Sequence, residues 1–275
     1  MIETLIMKFN QIPTPNRRLS PLVQDYFTIS AGETLKNDRL ILPSGRQYLI
    51  FHIKGEAQYT CNDKHITVRE RALLFHVQTS AYSIKVSPNF EALGVSLAPN
   101  GIYQFFGKTF GGKDQSLSDP EQFLGKKELN LLCEQLEKAQ DTAAKLELVE
   151  DLLISLFSGK QEDIVEKFMD YMGDFRKEVT TRKIASELGT NTRSLELKFC
   201  AITGTTPGKY IRLQRFNRLI NDVASRKYST HDLVARHNYS DYSHMNRDIR
   251  KFSGISLKEI SAADNLESTP MGAMV

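Results

Sequence analysis

The sequence predicts two domains: an N-terminal mainly-β sandwich or barrel followed by helices, and a C-terminal all-α domain built from two helix-turn-helix units. Three observations carry this. From Gln47 to Leu97, short runs rich in β-branched and aromatic residues follow one another with only turn residues between them. From about Asp163 onward, apolar residues recur at helical spacing between capping residues. Within 180–260 one pattern occurs twice, fifty positions apart: Ala185, Asn191, Leu195, Phe199, Gly204 and Thr206 return as Ala235, Asp241, Met245, Ile249, Gly254 and Ser256. Each pair keeps its chemical kind, which marks a duplicated supersecondary unit.

Residues 1–45 are punctuated by Pro13, Pro15, Pro21 and Pro43 and read as loop-rich, with no long helix. QYLIFHIKGEAQYT (Gln47 to Thr60) reads as a strand, a turn at Gly55 and another strand. HITV, ALLFHV, AYSIKV and FEALGVSL carry the all-β part to about Leu97. Pro99 and Gly101 break it, and IYQFFG reads as a short helix. After a Gly-rich loop from Phe110 to Lys113, Asp119 caps a turn that Pro120 opens. Leu129, Leu132 and Leu136, then Leu146, Val149, Leu153 and Leu156, predict amphipathic helices over about 127–139 and 142–158. Their apolar faces either cover the β core or form a homodimer interface. Ser158-Gly159-Lys160 separates a first domain, 1–159, from a second, 160–262.

A helix from about Asp163 to Asp174 opens the second domain. Thr180 or Thr181 caps the short helix RKIASEL, which Gly189 ends at positive φ. Asn191 caps TRSLELKF. Thr206 caps a long helix running to about Arg226, with Pro207 in its first turn, where a missing N–H costs nothing. Thr230 starts the next helix, and Asn238 ends it, since Asn tolerates the left-handed conformation. Asp241 caps YSHMNRDIRKF and Ser256 the last helix. Residues 263–275 show no periodicity and are expected to be a disordered tail.

Composition narrows the class. Hydrophobic residues make up 40% and charged residues 25%, as in a soluble globular chain. No apolar run approaches the roughly 18–20 residues that span a bilayer. The first ten residues lack the layout of a signal peptide. Cys61, Cys133 and Cys200 are odd in number and without paired spacing, which argues against a disulfide framework or a zinc site and for a reducing, cytoplasmic compartment. The net charge of +3 is unevenly spread. Residues 160–262 hold 19 Lys/Arg against 13 Asp/Glu, and the remainder 17 against 20. The basic C-terminal part suits a polyanion.

A helix-turn-helix buries one side of its second helix and leaves the other free. Leu188, Leu195 and Phe199 can hold the first unit, and Val234, Met245 and Ile249 the second. The free side then carries Thr192, Arg193, Glu196 and Leu197 in the first, and Tyr242, Ser243, His244, Asn246 and Arg247 in the second. Arg pairs with guanine, Asn with adenine, and Leu packs on a thymine methyl. Lys198, Arg212, Arg250 and Lys251 flank these faces and can neutralise phosphates. The linking helix spans roughly 30 Å at 1.5 Å per residue, close to the roughly 34 Å between successive major grooves. Double-stranded promoter DNA is therefore the expected partner.

These C-terminal motifs resemble the DNA-binding domain of the AraC/XylS family of bacterial transcription regulators. NYSDYSHMNRDIRKFSGISLKEI (Asn238 to Ile260) resembles the family's second motif, and TNTRSLELKFCAITGTTPGKYIRLQR (Thr190 to Arg215) its first motif and the start of the linking helix. By this resemblance Arg193, Glu196 and Leu197 match the first base-reading face, and Ser243, His244 and Arg247 the second. The sequence departs from the pattern at Asn238 (usually Gly), Leu257 (Pro), Ile260 (Tyr), Ile249 (Phe) and Leu197 (often Arg). The resemblance implies a cupin-like N-terminal barrel followed by helices, control by a small-molecule effector and/or dimerisation, and contact with RNA polymerase in an activator. It also implies association with the nucleoid when bound.

Barrels of this kind also carry metal enzymes, and a metal-dependent cupin enzyme with a DNA-binding tail is the alternative. His52, His65 and His76 stand on separate strands or turns without the close spacing of shared ligation. No nucleophile elbow, phosphate-binding Gly loop or paired acid motif is present. Neither catalytic residues, a metal site nor a cofactor is expected. Tyr48 and His52 share strand parity with Ile50 and either line an effector pocket or pack in the core.

Overall fold

The computed structural model describes residues 7–14, 16–32, 39–61, 64–68, 71–107, 109, 117–157, 164–173, 179–262, 267–269 and 272–274. The chain opens with β1 (Lys8–Pro13), β2 (Val23–Ser30) and β3 (Arg39–Ile41). All three lie in the stretch expected to be loop-rich. The prolines misled because they sit where strands tolerate them: Pro13 ends β1, an edge strand, and Pro21 and Pro43 fall outside β2 and β3. β4 (Gln47–Lys54), β5 (Ala57–Cys61), β6 (Lys64–Val68), β7 (Ala72–Phe75), β8 (Tyr82–Val86) and β9 (Glu91–Leu97) follow the predicted runs. After α1 (Gly101–Phe106), β10 (Leu117–Ser118) pairs with β7, so strands continue past Leu97. The Gly-rich loop at Phe110 to Lys113 and the boundary at Ser158-Gly159-Lys160 lie outside the described residues.

One sheet has the order β1-β2-β9-β4-β7-β10, and a second carries β3-β8-β5-β6. The two share an aromatic core, in which Phe27, Tyr48 and Phe75 of the first meet Tyr59 and Tyr82 of the second. β4 is buried from Gln47 to His52 because both its faces are covered. Tyr48 and Ile50 point between the sheets, whereas Leu49 and Phe51 point to the other side. There, beyond the short α2 (Glu121–Leu124), they meet α3 (Lys126–Lys138) and α4 (Thr142–Leu156). Leu129, Leu132, Leu136, Val149 and Leu153 are buried in this layer. The apolar stripes of the two helices are thus spent on covering the sheet.

The C-terminal helices are α5 (Ile164–Met172), α6 (Thr181–Glu187), α7 (Thr192–Thr203), α8 (Pro207–Ala224), α9 (Thr230–Arg236), α10 (Tyr242–Ser253) and α11 (Leu257–Ala262). They bury one core around Phe168, Phe199, Leu213, Phe216, Ile249 and Phe252. Among the described residues no helix is long and apolar enough to cross a membrane.

The tail departs from the expectation of disorder. β11 (Glu267–Thr269) and β12 (Gly272–Met274) form a hairpin, and β12 pairs with β3 at the edge of the second sheet. A strand edge offers unpaired N–H and C=O groups to any extended segment nearby. That opportunity is set by the fold and leaves no periodicity in the tail.

The β part and the C-terminal helices share a core, for Leu42 and Val77 join the cluster around α8. Asn217 Nδ2 donates to Ser44 O at 2.8 Å, and Ala81 N donates to Phe252 O at 2.7 Å. Gly45, at φ +82°, lies so close to α8 that a Cβ there would stand 2.3 Å from Gln214 Nε2.

Candidate nucleic-acid interface

Each unit is built by matched local chemistry. Thr180 caps α6 by accepting from Lys183 N, and Gly189 leaves it at φ +62°. Asn191 Oδ1 accepts from Ser194 N at 2.8 Å to open α7. In the second unit α9 starts at Thr230, as predicted, and Ser229 caps it through a reciprocal capping box with Asp232. Asn238 leaves α9 at φ +53°, and Asp241 Oδ1 accepts from His244 N at 2.7 Å to open α10. That bond from the backbone, with Ser240 beside it, holds the Asp241 carboxyl below its ordinary range. Both second helices end at a left-handed glycine, Gly204 at φ +77° and Gly254 at φ +78°.

Two features of the repeat escaped the sequence. The first is a buried hydroxyl just before each glycine. Thr203 Oγ1 donates to Phe199 O and accepts from Thr205 N, and Ser253 Oγ donates to Ile249 O and accepts from Ile255 N. This pair is also fifty positions apart and could have been read from the alignment of the two copies. The second is a correction. Ala185 and Ala235 are not equivalent, because Ala185 is buried and Ala235 exposed. Thr190 N bonds to Ala185 O, and the corresponding bond in the second unit runs from Tyr239 N to Val234 O. The first helices therefore correspond at an offset of 49 and the second at 50, because the second turn is one residue longer.

Six of the nine base-reading candidates are exposed on the outer faces of α7 and α10, and three are half-buried. On α7, Leu195 and Phe199 are buried, Arg193, Glu196 and Lys198 are exposed, Thr192 is half-buried, and Leu197 is 64% exposed. On α10, Met245, Ile249 and Phe252 point inward, Ser243 and Arg247 are exposed, and Tyr242 is 46% exposed. His244 and Asn246 are half-buried and partly engaged. His244 Nδ1 meets Ser240 Oγ at 3.1 Å and its ring stands edge-on to Tyr239, while Asn246 Oδ1 accepts from Leu257 N at 3.2 Å.

The phosphate candidates divide. Lys198 is free-standing on the surface beside Leu197. Arg212 differs from the expectation: it pairs with the buried Asp248, which also takes Arg215 Nη2 at 2.8 Å. Neither Asp248 nor Arg215 stood out in the sequence, because a carboxylate inside a basic helix reads as a solvated charge. Arg250 and Lys251 are exposed, but they also line a cleft of about 360 Å³ shared with Leu40, Ser80 and Ser83 of the β part.

The effector candidates lie in the aromatic core. Tyr48 is packed edge-on against Phe27 and Phe75, and burial pushes its hydroxyl pKa well up. His52 is buried, with Nε2 3.2 Å from the Tyr59 hydroxyl and its ring against Phe90. These rings pack against one another between the sheets. His76 lies elsewhere, bonded to Ser118 Oγ at 2.9 Å, and the side chain of His65 is outside the described set.

Comparison with known proteins finds the following similarities. Residues 184–263 match the family model described as a helix-turn-helix domain, and residues 11–112 match a domain of unknown function (DUF6597). No curated protein matches the sequence. The fold is similar to that of ToxT from Vibrio cholerae, with 12% identity, 86% of this chain and 97% of that chain covered, and a TM-score of 0.48. It is also similar to ToxT from Vibrio cholerae O395 bound to (E)-4-(8-methylnaphthalen-1-yl)but-3-enoic acid, with 12% identity, coverage of 92% and 98%, and a TM-score of 0.48. The transcriptional regulator CdpR from Pseudomonas aeruginosa is similar at 12% identity, covering 65% of this chain and 47% of that one, with a TM-score of 0.30. Residues 184–263 thus form a helix-turn-helix domain, in agreement with the paired units of α6–α7 and α9–α10.

Proposed function

We propose that the chain is a sequence-specific transcription regulator that reads promoter DNA with α7 and α10 in neighbouring major grooves. One observation carries this: two units of matched geometry stand on either side of the 18-residue α8. At 1.5 Å per residue α8 is about 27 Å long, of the order of the roughly 34 Å groove repeat. In this reading Arg193 and Arg247 take guanine edges, and Leu197 packs on a thymine methyl. Thr192, Glu196, Tyr242, Ser243, His244 and Asn246 complete the two faces. Lys198, Arg250 and Lys251 neutralise phosphates.

The division into a regulatory part, 1–159, and a DNA-binding part, 160–262, belongs to the same proposal. So does a cytoplasmic location without catalytic activity. A small-molecule effector acts through the β part, and the contacts of Ser44 and Ala81 with α8 and α10 give its occupancy a route to the recognition helices. In an activator the DNA-bound chain also touches RNA polymerase. A homodimer would use the outer side of α3, where Leu131 is exposed, since the inner stripe is covered.

Titration of the full chain onto upstream DNA in a mobility-shift assay tests the central reading. Arg193→Ala is expected to weaken binding to the preferred sequence by about 1–3 kcal/mol. Equal affinity of the unaltered protein for promoter and random DNA would contradict it.

A further inference from the structure

Asp248 lies in the middle of α10 but faces away from the base-reading side. Its side chain is 2% exposed. One carboxylate oxygen accepts from Arg212 Nη2, and the other accepts from Arg215 Nη2 at 2.8 Å. Both arginines stand on α8, and the Arg215 guanidinium also lies over Tyr239, 4.2 Å from the ring centroid. Burial alone would push the carboxyl pKa up, but the hydrogen bonds and positive charges of Arg212 and Arg215 together outweigh it and hold the carboxyl below its ordinary range. A buried ion pair is a poor source of stability beside a well-packed apolar side chain. Its directional bonds do two other things. They fix the rotation of α10 on α8, and they occupy two guanidinium groups in a domain that binds a polyanion.

We propose that Asp248 is a specificity-determining positioning residue, which orients α10 for base reading and withholds Arg212 and Arg215 from DNA phosphates. This rests on the reading that α10 enters a groove. Phosphate contacts strengthen binding to every sequence, whereas base contacts discriminate. Withholding two cations lowers non-specific binding, and fixing α10 preserves specific binding. Together they widen the ratio between the two.

The full chain, unaltered and as Asp248→Asn and Arg212→Gln, is titrated onto a promoter duplex and a random duplex of equal length at several salt concentrations. Each phosphate neutralised steepens the plot of log K against log salt by about 0.9. Asp248→Asn is expected to bind the random duplex more tightly, with a slope steeper by about 1–2. Its preference for the promoter is expected to fall about tenfold, the scale of one lost base contact. Arg212→Gln keeps a neutral donor for Asp248 and is expected to leave the slope unchanged on both duplexes. That second variant decides the matter even if Asp248→Asn does not fold. A slope flatter by about 0.9 in Arg212→Gln would show that this arginine already neutralises a phosphate, and would overturn the proposal. Asp248→Asn binding random DNA with unaltered affinity and slope would overturn it too, and is the result a merely structural role would give. Equal binding of the unaltered chain to both duplexes would remove the groove-reading premise and the proposal with it.

Discussion

Thr203 and Ser253 show how single atoms hold α7 and α10 in place. Each hydroxyl is buried, donates to the carbonyl four residues back and closes the turn that follows. The single Ser253 hydroxyl hydrogen is shared between Ile249 O and Ile255 O, 2.8 Å away, so removing the oxygen leaves the half-buried Ile255 N and O without this partner. Ser253→Ala is expected to cost about 1–3 kcal/mol in urea unfolding, and Ser253→Thr much less. An Ala variant with an unchanged midpoint would show that the hydroxyl is dispensable. His76 makes a second test at this scale. Burial lowers its pKa from 6.5 to about 4. The unfolded chain therefore takes up this proton first as the pH falls. The contribution is whole above pH 6.5, shrinks as pH falls toward about 4, and is constant below that. At 1.36 kcal/mol per unit the loss is on the order of 3 kcal/mol. A His76→Gln variant is expected to show a flatter stability profile across this window; an identical profile would mean that His76 does not titrate there.

At the scale of elements, what the sequence disclosed depended on whether the signal was local. Caps are local, so Asn191, Thr206 and Asp241 placed the starts of α7, α8 and α10 to the residue, and of the two candidates for α6 the cap is Thr180. Asn191→Ala should accordingly destabilise the C-terminal part by about 1 kcal/mol, with loss of helical signal on mild heating as the readout; no change would place the start of α7 under tertiary control. β4 was legible because its β-branched and aromatic run is unbroken. β1, β2 and β3 were hidden because Pro13, Pro21 and Pro43 are strong breakers in isolation, and only the sheet shows that they fall at an edge or outside the strands. The β12–β3 pairing and the Asp248–Arg212–Arg215 cluster were hidden for the same reason. Both join segments far apart in sequence through contacts that no periodicity encodes. The outer faces of α7 and α10 were legible as exposed faces, since exposure at Arg193, Leu197, Tyr242 and Arg247 follows from helical spacing once Leu195, Phe199, Met245 and Ile249 are placed inside.

At the scale of the molecule, α7 and α10 are neither identical nor independent of the β part. The first presents an exposed Leu197 where the second presents a polar face, so the two half-sites should differ in sequence. α8 joins them and is itself held against the β part through Gly45, Ser44 and Asn217. The most direct measurement is a hydroxyl-radical footprint of the full chain on its promoter, repeated with Arg193→Ala and Arg247→Ala. Two protected segments are expected, centred about 10–10.5 base pairs apart. Arg193→Ala should fade one and Arg247→Ala the other. A single protected segment, or two that fade together with either substitution, would contradict the placement of α7 and α10 in separate grooves.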